Sequence, residues 1–96
     1  AALDVTSASA WAELAAFVVE RYGRVDGLVN NAGRCEYAHF LDTPAAMFEG
    51  HFQVNMMGAV HGMQALAPHM APGSAIVNIA SVAGLAAWPG SSAYGA

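Results

Sequence analysis

Val25-Asp26-Gly27-Leu28-Val29-Asn30-Asn31-Ala32-Gly33 is the stretch that decides the fold of this chain. Residues 25–29 form a short, mostly apolar run that passes directly into two asparagines, an alanine and a glycine. Such a run predicts a buried strand of a parallel sheet, with a turn at its carboxyl end. Small residues in that turn let a flat group approach the backbone, and asparagine amides can hold a neighbouring loop in place. Taken alone, the tetrapeptide is more often a plain turn.

Working outward, Trp11, Leu14, Ala15, Val18 and Tyr22 recur at helical spacing. Residues 6–9 offer several N-caps and Gly23 a C-cap. Before that helix, Leu3-Asp4-Val5-Thr6 reads as the end of another strand. After the turn, Asp42-Thr43 caps a helix with Pro44 at its first helical position, running to about Met70. Phe52, Met56, Ala59, Met63, Leu66 and Met70 form one stripe, while Met47, Val54 and Val60 lie off it. The helix is therefore apolar on more than one face, one for a sheet and one for a second helix. Pro72-Gly73-Ser74 turns the chain into a second buried strand at 75–80, with Ser81 at its carboxyl end. Residues 82–93 read as loop, and Tyr94 opens another helix. This alternation predicts an α/β fold: part of a doubly wound parallel sheet in a three-layer α/β/α arrangement. Ligands of such sheets bind outside the carboxyl ends of the strands, where Asp4, the Asn-Asn-Ala-Gly turn and Ser81 fall.

At 96 residues the chain is short for such a fold, and its 56% hydrophobic and 10% charged composition suits a buried segment rather than a disordered tail. One incomplete domain over residues 1–96 is expected. The net charge is −4 and the only cations are Arg21, Arg24 and Arg34, so no basic stripe exists to bind nucleic acid. Lysine is absent. Cys35 is the single cysteine, which rules out an internal disulfide, fits a reducing cytoplasm and reads as an inert loop residue. Residues 1–11 lack the basic start and apolar run of a signal peptide. The 44–70 stretch is interrupted by His51, Gln53, Asn55, His61 and Gln64, which excludes a membrane span. His51 and His61 stand about 15 Å apart on one helix and no His-x-x-x-His pair occurs, so the histidines are expected at the surface or in loops and no metal site is expected.

Ser81 and Tyr94 supply a hydroxyl and a phenol, the equipment for proton transfer at a carbinol or carbonyl. Ala-Ser-Val-Ala-Gly around Ser81 is not the Gly-x-Ser-x-Gly elbow of a hydrolase, which sets that reading aside. Asn55 interrupts Val54, Met56 and Met57, and a buried amide there needs partners, either as a packing strut or in a polar relay. Gly58 and Gly62 suit close approach of a neighbouring backbone.

The order and spacing of Asn30-Asn31-Ala32-Gly33, Asn55-x-x-Gly58, Ser81 and Tyr94 resemble the classical short-chain dehydrogenases/reductases, and the resemblance covers the whole chain. It implies a Rossmann-like oxidoreductase interconverting a secondary alcohol and a ketone with NAD or NADP. Asn30 would contact the adenosine ribose with Ala32 and Gly33 beside it, Asp4 would meet the adenine amino group, and the Val5 backbone would lie next to it. Asn55 would distort its helix and hold a water in the proton path. Ser81 would hydrogen-bond the substrate oxygen, and Tyr94 would exchange its proton with that oxygen while lying beside the nicotinamide. Residues 1–96 would be the central fragment of one such domain. The family's glycine-rich pyrophosphate turn and its lysine four residues after the tyrosine would lie outside it, as would the residue that tells NAD from NADP. Alone, the fragment is expected to be inactive and not to fold stably, since in the family sheet order the 3–5 strand has no neighbour here. The resemblance extends to hydroxysteroid dehydrogenases and 3-oxoacyl-carrier-protein reductases, and less to sugar epimerases. It implies a homodimer or homotetramer through the 44–70 helix, a small alcohol or ketone substrate, and neither nucleic acid nor membrane as partner. The alternative is a non-catalytic remnant acting only through helix-mediated association.

Overall fold

Ser7 and Gly23 frame the first helix as their side chains dictate. In the computed structural model, which describes residues 2–96, α1 spans Ala8–Tyr22. The Ser7 hydroxyl accepts the Ala10 N–H, and Gly23 at φ 82° turns its N–H onto the Val19 carbonyl. Ahead of α1 the expected strand is replaced by a turn. Asp4 accepts both the N–H and the hydroxyl of Thr6 on one carboxylate oxygen, and its carbonyl accepts the Ser7 N–H. With no strand beside it, Val5 is held from the helical side, by the Trp11 indole N–H on its carbonyl at 3.0 Å.

The run at 25–29 becomes β1 (Val25–Asn30), which pairs in parallel with β2 (Met70–Asn78). The register runs from Gly27 opposite Ala75 to Asn30 opposite Asn78, and the Ile79 N–H continues it to the Asn30 carbonyl. Met70 also pairs with Val25, so β2 starts earlier than residue 75. The predicted turn at 72–74 is real, with Gly73 at φ 96°, but it is an irregularity within the strand rather than its beginning.

Between the strands runs one long helical stretch: α2 (Ala45–His51), a π-helical turn (Phe52–Met57), α3 (Gly58–Leu66) and a 3-10 turn (Ala67–His69). Pro44 stands at the N-cap in extended conformation, not at the first helical position. The Thr43 hydroxyl donates to the His39 carbonyl, and at the helix start the Pro44 carbonyl receives the Met47 N–H. The helix stops short of Met70 because Pro68 has no N–H and tightens the last turn. The 82–93 segment holds a short 3-10 turn (Val82–Gly84), and α4 (Ser92–Gly95) begins two residues before Tyr94.

Trp11, Ala15, Val25, Leu28 and Leu66 form the core, where α1 and α3 pack on each other and on β1. This is a single helical layer over a parallel α/β sheet, and Val29 (62% exposed) and Ile79 (58% exposed) remain open. The edge of the long helix that is buried is His51, Gly58, Gly62 and Leu66, whereas Phe52 and Met56 of the apolar stripe face outward. The two glycines admit mainly side chains. A Cβ on Gly58 would come within 3.0 Å of the Val5 side chain, and one on Gly62 would lie 2.8 Å from Asn30 Oδ1 and 2.9 Å from the Trp11 ring. That ring is buried and pinned by its own N–H, so it cannot yield. Gly62→Ala in the full-length protein is expected to lower stability by about 1–3 kcal/mol. Gly84→Ala, whose added Cβ meets nothing, serves as the control in the same thermal melt. Equal melting of the two variants would contradict this packing.

Candidate active site

The parallel register sets the ends of the two strands side by side. Asn30 donates from Nδ2 to Asn78 Oδ1 at 2.8 Å, tying β1 to β2 just where the chain leaves the sheet. Asn31, Ala32 and Gly33 follow, all exposed. Asn30 therefore acts locally as a strut, with its other amide end against Gly62. The flat, small-residue surface of the turn is Ala32 and Gly33, and a Cβ on Gly33 would make only ordinary contact, 3.5 Å from Asn55 Oδ1.

Asn55 lies within the π-helical turn, where the Gly58 N–H reaches back five residues to the Gln53 carbonyl. Such bulges concentrate at functional sites because they displace a side chain from its helical position. The displaced amide brackets the backbone of Arg34: Oδ1 accepts the Arg34 N–H at 2.7 Å and Nδ2 donates to the Arg34 carbonyl at 2.9 Å. The Arg34 guanidinium pairs with the Glu36 carboxylate and lies over Gly50, where a Cβ would come within 2.9 Å of it. Asn55, Gly58 and Gly62 thus meet, in successive turns, the loop after Gly33, Val5 and Asn30. The helix aligns every segment in which a cofactor contact was expected.

His51 departs from the expectation of a surface or loop histidine, being only 2% exposed. Its Nε2 accepts the Glu36 N–H at 3.0 Å and its Nδ1 faces the Met47 carbonyl at 2.7 Å. The imidazole is drawn inside because the loop after Gly33 folds over the helix and needs a partner for that amide. Tyr94 meets this ring edge to face, with centroids 6.3 Å apart and planes at 68°.

Tyr94 and Asn55 line one cavity of about 590 Å³, together with His51, Phe48, Phe52 and Met56. Ser81 caps the 3-10 turn, its Oγ accepting the Ala83 N–H at 3.2 Å, which leaves the hydroxyl proton free to give to another oxygen. Gly95 packs on the Ala83 carbonyl, where a Cβ would come within 3.0 Å, so the helix of Tyr94 is seated on the segment that follows Ser81. The loop after the Asn-Asn-Ala-Gly turn joins this group through the Ala38 N–H on the Gly90 carbonyl at 2.8 Å. It brings Tyr37 near Tyr94. The Tyr37 phenol is held above its ordinary value chiefly by the neighbouring Cys35 side chain, then by burial, and lastly by Tyr94. It stays a protonated donor at neutral pH. Sequence reasoning missed Tyr37 and His51. The available signal for His51 was its spacing, since 51, 55, 58 and 62 share one helix edge.

Val5 meets that edge at Gly58, about two turns along the helix from His51 and its partner Tyr94. The Thr6 hydroxyl, and then the Thr6 N–H, hold the Asp4 carboxyl below its usual range, so it is an ionised acceptor at neutral pH. Val5 has its carbonyl engaged by Trp11 and its side chain against Gly58. Among the described residues no group of three or more acidic, histidine or cysteine side chains is placed to hold a metal ion, and no helix is long and apolar enough to cross a membrane.

The sequence matches the short chain dehydrogenase family along residues 1–96. It is 37% identical over 95 residues to trans-4-hydroxycyclohexanecarboxylate dehydrogenase of Sinomonas cyclohexanicum, covering 98% of this chain and 37% of that protein. The structure resembles a short chain dehydrogenase/reductase from Burkholderia phymatum in complex with NAD, with a TM-score of 0.89 and 35% identity over 97% of this chain and 34% of that one. It resembles ElxO with NADP bound to a similar degree, with a TM-score of 0.88 and 33% identity over 97% of this chain and 39% of that one. The chain thus spans little more than a third of the length of these relatives.

Proposed function

The chain belongs to the short chain dehydrogenase family, and we propose that it is the central segment of a cytoplasmic NAD(P)-dependent oxidoreductase interconverting a secondary alcohol and a ketone. The observation that carries this reading is the cavity shared by Tyr94 and Asn55, with Ser81 at the head of the turn on which the Tyr94 helix rests. Relatives that bind NAD and NADP, and one named for a hydroxylated cyclohexane carboxylate, support it.

Asp4, Val5, Asn30, Ala32 and Gly33 would hold the adenosine end of the nucleotide, and Tyr94 would lie at its nicotinamide end. Bound NAD or NADP supplies the hydride acceptor or donor. Ser81 gives its free proton in a hydrogen bond to the substrate oxygen and orients it. Tyr94 exchanges its phenolic proton with the same oxygen, as acid in reduction and as base in oxidation. Asn55 fastens the loop at Arg34 and keeps one amide proton with which to hold a water in the proton path. A homodimer or homotetramer formed through the long helix belongs to the same reading.

Ser81→Ala tests this assignment in the full-length protein. It is expected to lower kcat by about 100-fold while leaving nucleotide affinity unchanged, because the hydroxyl acts on the substrate oxygen and not on the cofactor. Unchanged turnover would remove Ser81 from the site.

A further inference from the structure

His51 is a buried titratable side chain that the proton transfer described above does not use. A backbone amide can only donate and a carbonyl can only accept, so the two contacts fix the neutral ring with hydrogen on Nδ1 and Nε2 bare. They also fix the ring plane, because a flip would break both bonds at once. One bond is to the helix at Met47, and the other is to Glu36 in the loop that Asn55 clamps two residues earlier. This immobilised ring meets Tyr94 at a separation and angle typical of an aromatic pair. Tyr94 itself sits on a helix of only four residues.

We propose that His51 is a positioning residue for Tyr94, its ring setting the direction of the phenol. The inference rests on the reading of Tyr94 as the acid/base group. Misplacement by about 1 Å can reduce rate on the order of 100-fold, so a side chain that fixes the ring acts on kcat.

The test compares two replacements in the full-length enzyme. His51→Gln keeps an acceptor for the Glu36 N–H but has no ring, whereas His51→Phe keeps a ring against Tyr94 and loses both hydrogen bonds. His51→Gln is expected to lose about tenfold or more in kcat, with substrate KM and nucleotide Kd held within about threefold. His51→Phe is expected to melt at a lower temperature than His51→Gln, yet to recover kcat to within about threefold of wild type. A purely structural role gives the opposite order, with kcat following the melting temperature. That order, or an unchanged kcat in His51→Gln, overturns the proposal. Should His51→Phe fail to accumulate, the wild-type enzyme is examined by NMR for cross-relaxation between the ring protons of His51 and Tyr94; its presence is expected and its absence overturns the proposal. A wild type that turns over, with Tyr94→Phe inactive and both His51 variants unaffected, overturns this inference alone. A wild type no more active than Tyr94→Phe overturns the reading of Tyr94, and this inference with it.

Discussion

Tyr94→Phe in the full-length protein is expected to reduce kcat by about 1000-fold, with substrate KM and nucleotide affinity little changed. The replacement removes one oxygen and nothing else. The ring remains against His51, and the Gly95 contact with Ala83 that seats the helix is untouched. A loss of activity therefore cannot be assigned to unfolding, and a thermal melt coincident with wild type is the accompanying check. Loss of less than about tenfold would mean that another group carries the proton. Tyr37, the neighbouring phenol, would then be the first to replace.

The 96 residues expressed by themselves are expected to show no cooperative unfolding transition. Their sheet has two strands, and a two-stranded sheet is at best marginally stable without more strands or a fuller helical cover. One helical layer is present, and Val29, Ile76, Val77 and Ile79 stay exposed on the strands or just beyond them. The radius of gyration is 15.5 Å, whereas a compact domain of this length would have about 12.5 Å. With Phe52, Met56 and Trp88 also exposed, the apolar surface left in water is of the kind that drives association. Circular dichroism and dye binding through a thermal scan would test this. A sharp, reversible transition at low concentration would show that the segment is a folding unit in its own right.

Much of the fold was legible wherever local chemistry decides it. Ser7 and Gly23 cap α1 because a hydroxyl and a side-chain-free residue stand at the positions that need them, and the 25–29 run became a strand pairing in parallel. What was not legible was decided by distant partners. Met70 reads as the last residue of a helical stripe, but Pro68 ends the helix and Val25, far back in the chain, takes Met70 into the sheet. Leu3-Asp4-Val5-Thr6 has the composition of a strand end, yet Asp4 found a closer partner in Thr6 and no strand lay alongside.

The site divides in the same way. Asn55 was conspicuous as an amide among apolar residues; it is half-buried rather than buried, and its amide is nonetheless paired at both ends. That both partners are the backbone of Arg34, 21 residues earlier, could be seen only in three dimensions. His51 was expected at the surface or in a loop because its burial depends on a loop 15 residues upstream closing over it. The edge of the helix that faces inward was also obscured, since glycine carries no hydrophobic signal. Gly58 and Gly62 are buried because the absence of a side chain makes room for Val5, Asn30 and Trp11.

A hydride-transfer site carried by this segment is the reading on which the proposed function stands. Its most direct test is to incubate the full-length protein with oxidised NAD or NADP and a panel of secondary alcohols deuterated at the carbinol carbon, and to follow the nucleotide by mass spectrometry. The carbinol deuterium is expected on the nicotinamide ring as the alcohol becomes a ketone, and Tyr94→Phe is expected to suppress the transfer. Consumption of an alcohol with no label in the nucleotide, or no transfer with any member of the panel, would contradict it.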